Sequence, residues 1–339
     1  MQRKIILPIV MFFLVLIILL IIYIFKNQPK FSDLKSSSYF QQTEIVPTLE
    51  HEIIKDKNCM YSASLLYAWD EIKKTIGSPI IVDPSLKDLQ LFNNTRSHVN
   101  TLKSNEFKTW IELNGKRIVA RAEFFKSLQF DVKMINLVNR LEFNHTKVSS
   151  FGMEKFDKEI VKLINILYYQ DDDHFVIKLI PKDDEHEILL FKTALSPNSI
   201  SDLVKEMNSM IDSSKKDLAE ENLWRYEFKD GDKLVIPKFN FNIDHHFKNL
   251  ENKEFSAKGI HYEIEIANQK IAFLLDENGA VIKSESYISV KSAMPIIPIN
   301  PHPKNFIFNK PFLLMLKRID EKNPYFAIWV ANAELMMKE

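Results

Sequence analysis

Apolar residues at helical spacing predict short helices separated by strands. The spacing indicates one helix over Cys59–Ile76, with a glycine and a proline just after it, and another over Ser199–Ser213. Ser199 or Ser201 is suited to cap the second of these, because a serine hydroxyl accepts hydrogen bonds from the first free backbone amides. A third helix is expected over Asn105–Leu113, before an Asn-Gly pair.

The remaining apolar runs are short and read as strands. Two of them flank the charged stretch KDDEH and are expected to form a hairpin. The predicted strands are Phe130–Phe143, Phe175–Pro181, Glu187–Lys192, Leu234–Phe241, Tyr262–Leu275, Ile307–Lys317 and Phe326–Val330. Helices and strands alternate without a regular period and no internal repeat is present, so the pattern favours an α+β fold.

The N-terminus carries a long apolar stretch. Ile5–Phe25 contains no charged residue, and a helix of that length spans the hydrocarbon core of a bilayer. No small-residue cleavage site follows, which favours an uncleaved signal anchor over a signal peptide. We therefore expect residues 1–4 to be a cytoplasmic tail, 26–50 a polar stalk and 51–339 a body outside the cytoplasm, extracellular or periplasmic.

Composition narrows the function classes. The chain has 339 residues, and its 45 Lys and Arg residues balance its 45 Asp and Glu residues. A surface without excess positive charge does not attract phosphate backbones, so we expect no nucleic-acid partner. The six glycines form no phosphate-binding loop, and a single cysteine, Cys59, excludes an internal disulfide. We expect no cofactor, and a buried, unreactive thiol at Cys59.

Candidate chemistry is sparse. The two acidic stretches Asp171–His174 and Asp183–His186 contain metal-ligating residue types, but both follow short strands, where solvated acidic turns are common. His245 and His246 are expected at the surface, at the start of a helix. Ser62 lacks the histidine and aspartate pattern of a catalytic triad. We therefore expect neither a metal site nor an enzyme, and a hydrolase built on the acidic stretches is the least favoured class.

One C-terminal motif changes this interpretation. The stretch FIFNKPFLLML, Phe306–Leu316, resembles the C-terminal signature of the serpins, with apolar residues around Asn-Lys-Pro-Phe. Further stretches resemble serpin landmarks in the family's order. They are NCMYSASLLYAW at Asn58–Trp69, FKTWIELNGKRI at Phe107–Ile118, INLVNRLEF at Ile135–Phe143, LVIPKFNFNIDHHFKNL at Leu234–Leu250 and KIAFLLDENGA at Lys270–Ala280. In the family these are, respectively, a buried helix, a helix across the main sheet, the central strand, a strand with its following helix, and the strand that enters the reactive-centre loop.

The resemblance implies a serpin-like fold with a reactive-centre loop before the signature. In the family this loop is bait for a serine or cysteine protease, and after cleavage it enters the main sheet as an extra strand. The family's spacing places the scissile bond near Ala293–Met294, and it places the hinge at Glu277, Gly279, Ala280, Ile282 and Ser284. The resemblance also implies that Ser62 and Asn139 form a polar cluster that governs opening of the sheet.

Departures from the family pattern keep two function classes open. The inhibitory hinge of serpins is a run of small residues, whereas this hinge reads GAVIKSESYISV. Its residues still alternate, so one face of an inserted strand could be buried. The chain is also shorter than serpins between Trp69 and Trp110, so the N-terminal half is trimmed. We expect a membrane-tethered protease inhibitor, and the alternative is a non-inhibitory serpin-like binding or structural module.

Overall fold

The computed structural model describes residues 34–124, 126–194, 196–215, 220–280 and 301–339. Within these ranges the helices are few and the strands numerous, which confirms the α+β class. The helices are α1 (Ser64–Ile76), α2 (Lys87–Asn94), α3 (Lys158–Val161) and α4 (Ile200–Ser214), with 3-10 turns at Ser37–Tyr39 and Glu220–Arg225.

The strands fall into three sheets. In chain order they are β1 (Lys35–Ser36), β2 (Thr43–Val46), β3 (Asn58–Ser62), β4 (Ile81–Val82), β5 (Phe107–Asn114), β6 (Arg117–Phe124), β7 (Leu128–Gln129), β8 (Ile135–Phe143), β9 (Thr146–Met153), β10 (Ile164–Asp171), β11 (His174–Leu179), β12 (His186–Lys192), β13 (Lys233–Pro237), β14 (Phe239–His246), β15 (Lys253–Ala257), β16 (Ile260–Asp276), β17 (Gly279–Ala280), β18 (Asn305–Ile307), β19 (Phe312–Arg318) and β20 (Phe326–Val330). Two strands of this set, β1 and β2, fall in residues 34–50, which were expected to be stalk.

A nine-stranded sheet is built around β16, the longest strand. On one side β16 pairs antiparallel with β15 and then with β14. On its other side it pairs in parallel with β6, from Glu263 opposite Arg117 to Ile271 opposite Phe124. Strand β5 completes this side as the antiparallel partner of β6. We call the boundary between β6 and β16 the seam.

A seven-stranded sheet packs against the nine-stranded one. Its strand order is β10-β11-β12-β19-β20-β3-β2. The rings of Phe273 in β16 and Phe326 in β20 lie 4.8 Å apart between the two sheets. Gln269 of β16 also crosses this interface, because its side-chain amide donates to the Ser62 carbonyl and to Ser64 Oγ. The principal core therefore lies between β16 and the strands that end the chain.

The third sheet has four strands, in the order β18-β13-β9-β8. The strand Ile135–Phe143 lies at its edge, so the expectation that it is the central strand of the main sheet was wrong. The parallel neighbour of β16 is β6 instead. Both stretches have apolar alternation, and only the tertiary pairing distinguishes them.

The prediction of a helix at Asn105–Leu113 is also wrong, because strand β5 begins at Phe107 within this stretch and continues to Asn114. It forms a hairpin with β6 through the Asn-Gly pair at 114 and 115, and Gly115 has a φ of 65°. An Asn-Gly pair between apolar runs is a strong hairpin signal, and Thr109, Trp110 and Ile111 are types that favour strands. The FKTWIELNGKRI landmark therefore does not mark a helix.

Several other elements begin or end at residues that differ from the predicted ones. The helix expected at Cys59–Ile76 begins only at Ser64, because the residues before it are the buried strand β3. The two histidines at 245 and 246 end strand β14 and do not start a helix. The strands expected at Leu234–Phe241 and Ile307–Lys317 are each broken in two, at Lys238 and before Phe312 respectively.

Several predicted elements are confirmed. Helix α4 occupies the expected stretch, and Ser199 caps it by accepting a hydrogen bond from the Asp202 amide at 3.1 Å. Strands β11 and β12 form the expected antiparallel hairpin. Strand β20 has the predicted bounds, and β16 contains the whole of the predicted strand. Each has a regular apolar pattern.

Candidate functional site

Strand β16 ends in a tight turn that returns the chain into the sheet. Gly279 and Ala280 form β17, which pairs antiparallel with β16, with Ala280 opposite Leu275. On its other side β17 pairs with β7, with Gly279 opposite Gln129. The backbone amide of Phe130 donates to the Asn278 carbonyl at 2.9 Å. Two residues of the implied hinge thus already occupy a strand position at the end of the seam.

Only glycine fits at position 279. Its φ is 112°, which side chains rarely adopt, and a Cβ there would lie 2.3 Å from the Leu128 carbonyl oxygen. The close approach comes from the backbone of β7, which flanks β17. The glycine therefore allows the turn to insert between β7 and β16.

Glu277 fixes this turn. Its carboxylate forms an ion pair with the Lys238 ammonium, and Lys133 Nζ lies 3.4 Å away on its other oxygen. The Met134 amide donates to the Glu277 carbonyl. Burial alone would raise the pKa of Glu277, but the hydrogen bond and charge of Lys238 outweigh it, and the pKa lies below its ordinary value. We call the Glu277–Lys238 pair the proximal anchor.

A second ion pair holds the chain just beyond residues 281–300. The Lys304 ammonium lies 2.8 Å from Asp232, and the two side chains are only 1% and 0% exposed. The Lys304 amide also donates to Asp232, and its ammonium donates to the Trp224 carbonyl at 3.0 Å. Such a pair is stable only because these additional bonds satisfy its charges. We call the Asp232–Lys304 pair the distal anchor.

The first acidic stretch supports the distal anchor. Asp172 accepts hydrogen bonds from both the amide and the side chain of Asn305, each at 2.8 Å. It also accepts one from the Tyr169 hydroxyl, and burial together with this carboxylate raises the pKa of Tyr169. Asp173 pairs with Lys192 and Lys310. Asp172 is thus satisfied by hydrogen bonds from neutral groups, and the charge of Asp173 is balanced by two lysines.

The second acidic stretch ties the two larger sheets together. Lys126 bridges Glu106 at 2.7 Å and Asp183 at 3.2 Å. His186 Nε2 lies 2.9 Å from Glu106, and burial followed by the charge of Lys126 lowers the pKa of His186. No group of three or more metal-ligating side chains converges in the described ranges. Cys59 is buried, and burial raises the pKa of its thiol.

The seam below β17 is closed. On its inner side Ala120 lies opposite Ala267, and Ala122 lies opposite Gln269. On its outer side Lys270 of β16 approaches Glu123 of β6 at 3.8 Å. The alanine pair leaves little packing to lose at that point, whereas the ladder, the buried Ile118 opposite Ile264 and the ion pair oppose separation of the two strands.

The two residues of the implied sheet-opening cluster lie in different sheets. Ser62 ends β3, and its hydroxyl lies 3.3 Å from Ser64 Oγ, which the Gln269 amide also contacts. Asn139 belongs to β8 in the four-stranded sheet. The polar contact to Ser62 across the core is therefore made from β16 by Gln269, whose role the sequence did not reveal.

Some predicted site residues lie outside the described residues. These are Ile282 and Ser284 of the hinge, Ala293 and Met294 of the scissile bond, and the apolar stretch Ile5–Phe25. Among the helices that are described, none is long and apolar enough to cross a bilayer. The residues that sequence reasoning missed, Lys238, Asp232 and Lys304, flank strands, and their pairing depends on tertiary contacts alone.

The comparisons with known proteins return only structural likeness. No family model and no curated protein matches the chain. Among solved structures, the chain is similar to Manduca sexta serine protease inhibitor (serpin)-12, with 15% identity and a TM-score of 0.35 over 64% of this chain and 56% of that one. It is also similar to a serpin from Schistosoma mansoni, with 11% identity and a TM-score of 0.38 over 65% and 57%.

A third match covers more of the chain. The complex of thyroxine-binding globulin with thyroxine aligns over 82% of this chain and 93% of that one, with 10% identity and a TM-score of 0.42. The chain spans a little over half the length of the first two serpins. Likeness at this level concerns the fold alone and carries no argument about what the chain does.

Proposed function

We propose that this chain is a serpin-like protein that presents residues 281–300 to a serine or cysteine protease as bait. The observation that carries the proposal is the pairing of strand β17. Gly279 and Ala280 are paired between β16 and β7, directly above the seam. A strand that continued from Ala280 in the same direction would have to run between β6 and β16. The pairing of β17 supports this, because β17 would be the start of such an inserted strand.

The pairing of β17 fixes the register of such a strand. Because Ala280 lies opposite Leu275, continuation would place Ile282 opposite Phe273, Ser284 opposite Ile271 and Ser286 opposite Gln269. Phe273 and Ile271 are buried residues of the core. The sequence supplies an apolar or small residue at each of these alternate positions, so the inner face of the added strand would suit the core.

The implied scissile bond lies near Ala293–Met294. Alanine before the bond suits a protease with a small specificity pocket, and methionine there suits one with a deeper apolar pocket. The two anchors support cleavage in this stretch, because both flanks of 281–300 are tied to the body. A cut between the anchors would free the segment on one side of the broken bond, while the part on the other side would stay held by its own anchor.

The alternative is a non-inhibitory serpin-like module. The bulky hinge residues Val281 and Ile282 and the Glu123–Lys270 pair at the seam favour it, because each would slow strand insertion. With slow insertion the protease completes hydrolysis before it is displaced. The protein would then be cut as an ordinary substrate.

We also propose that the chain is tethered to a membrane. The apolar stretch Ile5–Phe25 supports a single-pass anchor with the body outside the cytoplasm. Protease added to intact cells or spheroplasts should digest the body. A body protected until the membrane is permeabilised would reject this orientation.

Incubation with a panel of serine and cysteine proteases, followed by a denaturing gel, tests inhibition. A covalent complex should form with the wild-type chain. Ser286→Arg should abolish the complex, because the register directs this side chain into the core. Tyr287→Arg, one residue further and on the outer face, should retain it. Cleavage of all three chains without any complex would leave the non-inhibitory module.

A further inference from the structure

The edges of the three sheets are mostly protected against pairing with another chain. An exposed edge presents unpaired backbone groups, and proteins usually shorten or distort such strands. Among the described edges, β1, β2, β4 and β18 have two to four residues. Strands β8 and β10 are longer but pair with shifts of register. Strand β5 is the exception within the described part of the chain.

Strand β5 is a long and regular edge. Its eight residues pair with β6 without a shift of register, and it contains no proline. Phe107 stacks on Tyr67 of α1 at 4.3 Å, so alternate residues from 107 face this helix. Lys108, Trp110 and Glu112 occupy the opposite face, all exposed, with Trp110 44% accessible. The free edge thus presents a cation, an aromatic ring and an anion at even spacing.

We propose that β5 pairs antiparallel with β5 of a second copy of this chain, which joins the two nine-stranded sheets into one. Residues opposite each other in a sheet lie on the same face, so the two-fold axis must pass midway between one residue and its own equivalent in the second copy. With the axis at Trp110, Lys108 lies opposite Glu112 of the second copy, and the same pair forms again by symmetry. Trp110 lies opposite its own equivalent.

The charges select this register over its neighbours. An axis at 108 would place two lysines opposite each other, and an axis at 112 would place two glutamates together. An axis at 109 would oppose Glu106 to Glu112. Like charges directly opposite destabilise a strand pair, whereas opposite charges and aromatic pairs stabilise it. Within β5, the register centred on residue 110 is therefore the one that brings opposite charges together, and it does so twice.

The contact is small, so association should be reversible and depend on concentration. Stable interfaces bury at least about 1,200 Å² in total, and the edges of two eight-residue strands bury less than this. The pairing would be isologous and closed, because it uses the one long free edge that the described part of each copy has. It therefore predicts dimers without larger assemblies.

Disulfide trapping on the full chain in detergent tests the register. The only native thiol, Cys59, is buried. Trp110→Cys should give a disulfide-linked dimer on mild oxidation, because opposite residues in an antiparallel pair have Cα atoms about 4.5–5.5 Å apart, within disulfide reach. Lys108→Cys and Glu112→Cys should not crosslink separately, but an equal mixture of the two should. A Trp110→Cys chain that folds but stays monomeric would overturn the proposal.

Charge reversal, read by sedimentation velocity of the full chain, gives an independent check. Lys108→Glu or Glu112→Lys should each weaken association about tenfold or more, because each change acts twice across the axis. The double variant should restore it. Lys116→Glu makes the same charge change in the hairpin turn, outside β5, and should leave association unaltered. Association insensitive to both single reversals would assign it to another surface and reject the β5 pairing.

Discussion

Asp232 and Lys238 lie at the two ends of the five-residue strand β13, and each forms an ion pair with one flank of residues 281–300. Asp232 binds Lys304 beyond the segment, and Lys238 binds Glu277 before it. One short strand therefore holds both ends of the segment implied to be the reactive-centre loop. The segment begins after the nine-stranded sheet and ends before the four-stranded one. The two ion pairs at the ends of β13 explain how both of its ends are fixed.

The distal anchor should be the more costly to break. Asp232→Asn would leave the buried Lys304 ammonium without its counter-charge, and we expect a loss of about 3–5 kcal/mol in the free energy of unfolding. Asp232→Leu combined with Lys304→Met should recover much of this loss. Chemical denaturation measures both. Asp230→Asn makes the same change two residues away and should cost little, and an equal loss there would contradict the account.

Gly279 should tolerate no side chain. Gly279→Ala would bring a Cβ against the Leu128 carbonyl oxygen and should displace β17, with a loss of stability well above the cost of φ strain alone. Gly115→Ala is the matched control. It also has a positive φ, of 65°, but nothing lies within 4 Å of its added Cβ, so we expect a loss of about 1 kcal/mol. Equal melting temperatures for the two variants would argue against a tightly inserted turn.

The proximal anchor should make stability depend on pH in the acidic range. The folded-state pKa of Glu277 is lowered, so the unfolded state binds a proton more readily. Its contribution is therefore present above the unfolded pKa of about 4.5 and is lost as pH falls through the folded value. Unfolding of wild type and Glu277→Gln should differ at pH 7 and converge at low pH. A constant difference would show that the carboxylate charge is not responsible.

His245 should add a second pH dependence. Burial, and then the charge of His246, lowers its pKa from 6.5 to about 4, and its Nδ1 lies 2.8 Å from Ser37 Oγ. Its contribution is complete above pH 6.5 and is lost as pH falls towards 4, a change of about 3 kcal/mol. In His245→Gln this part of the slope should be missing. An unchanged slope would assign the acid sensitivity to other groups.

Local patterns were sufficient for the elements whose signal is self-contained. Helix α4 has an amphipathic stripe and a serine cap, and β20 is a short apolar run, so both were predicted with near-correct bounds. The stretch from Phe107 to Asn114 was misassigned, because its apolar residues fit helical spacing, while the Asn-Gly hairpin turn decides the outcome.

The candidate site was only partly visible in the sequence. The hinge residues Glu277, Gly279 and Ala280 were located by resemblance, and the turn places them at the end of the seam. Their partner Lys238 and the Asp232–Lys304 pair could not be predicted, because each contact joins residues far apart in the chain. The Gln269 contact to Ser62 likewise depends on how two sheets pack.

The most direct test of the central claim compares the melting temperatures of intact protein and of protein nicked within residues 281–300. Insertion adds a ladder of hydrogen bonds and buries one face of the new strand, so the nicked protein should melt at a markedly higher temperature. Ser286→Arg should be nicked equally but show no rise. A nicked wild-type protein that melts at or below the temperature of the intact one would contradict insertion along the seam.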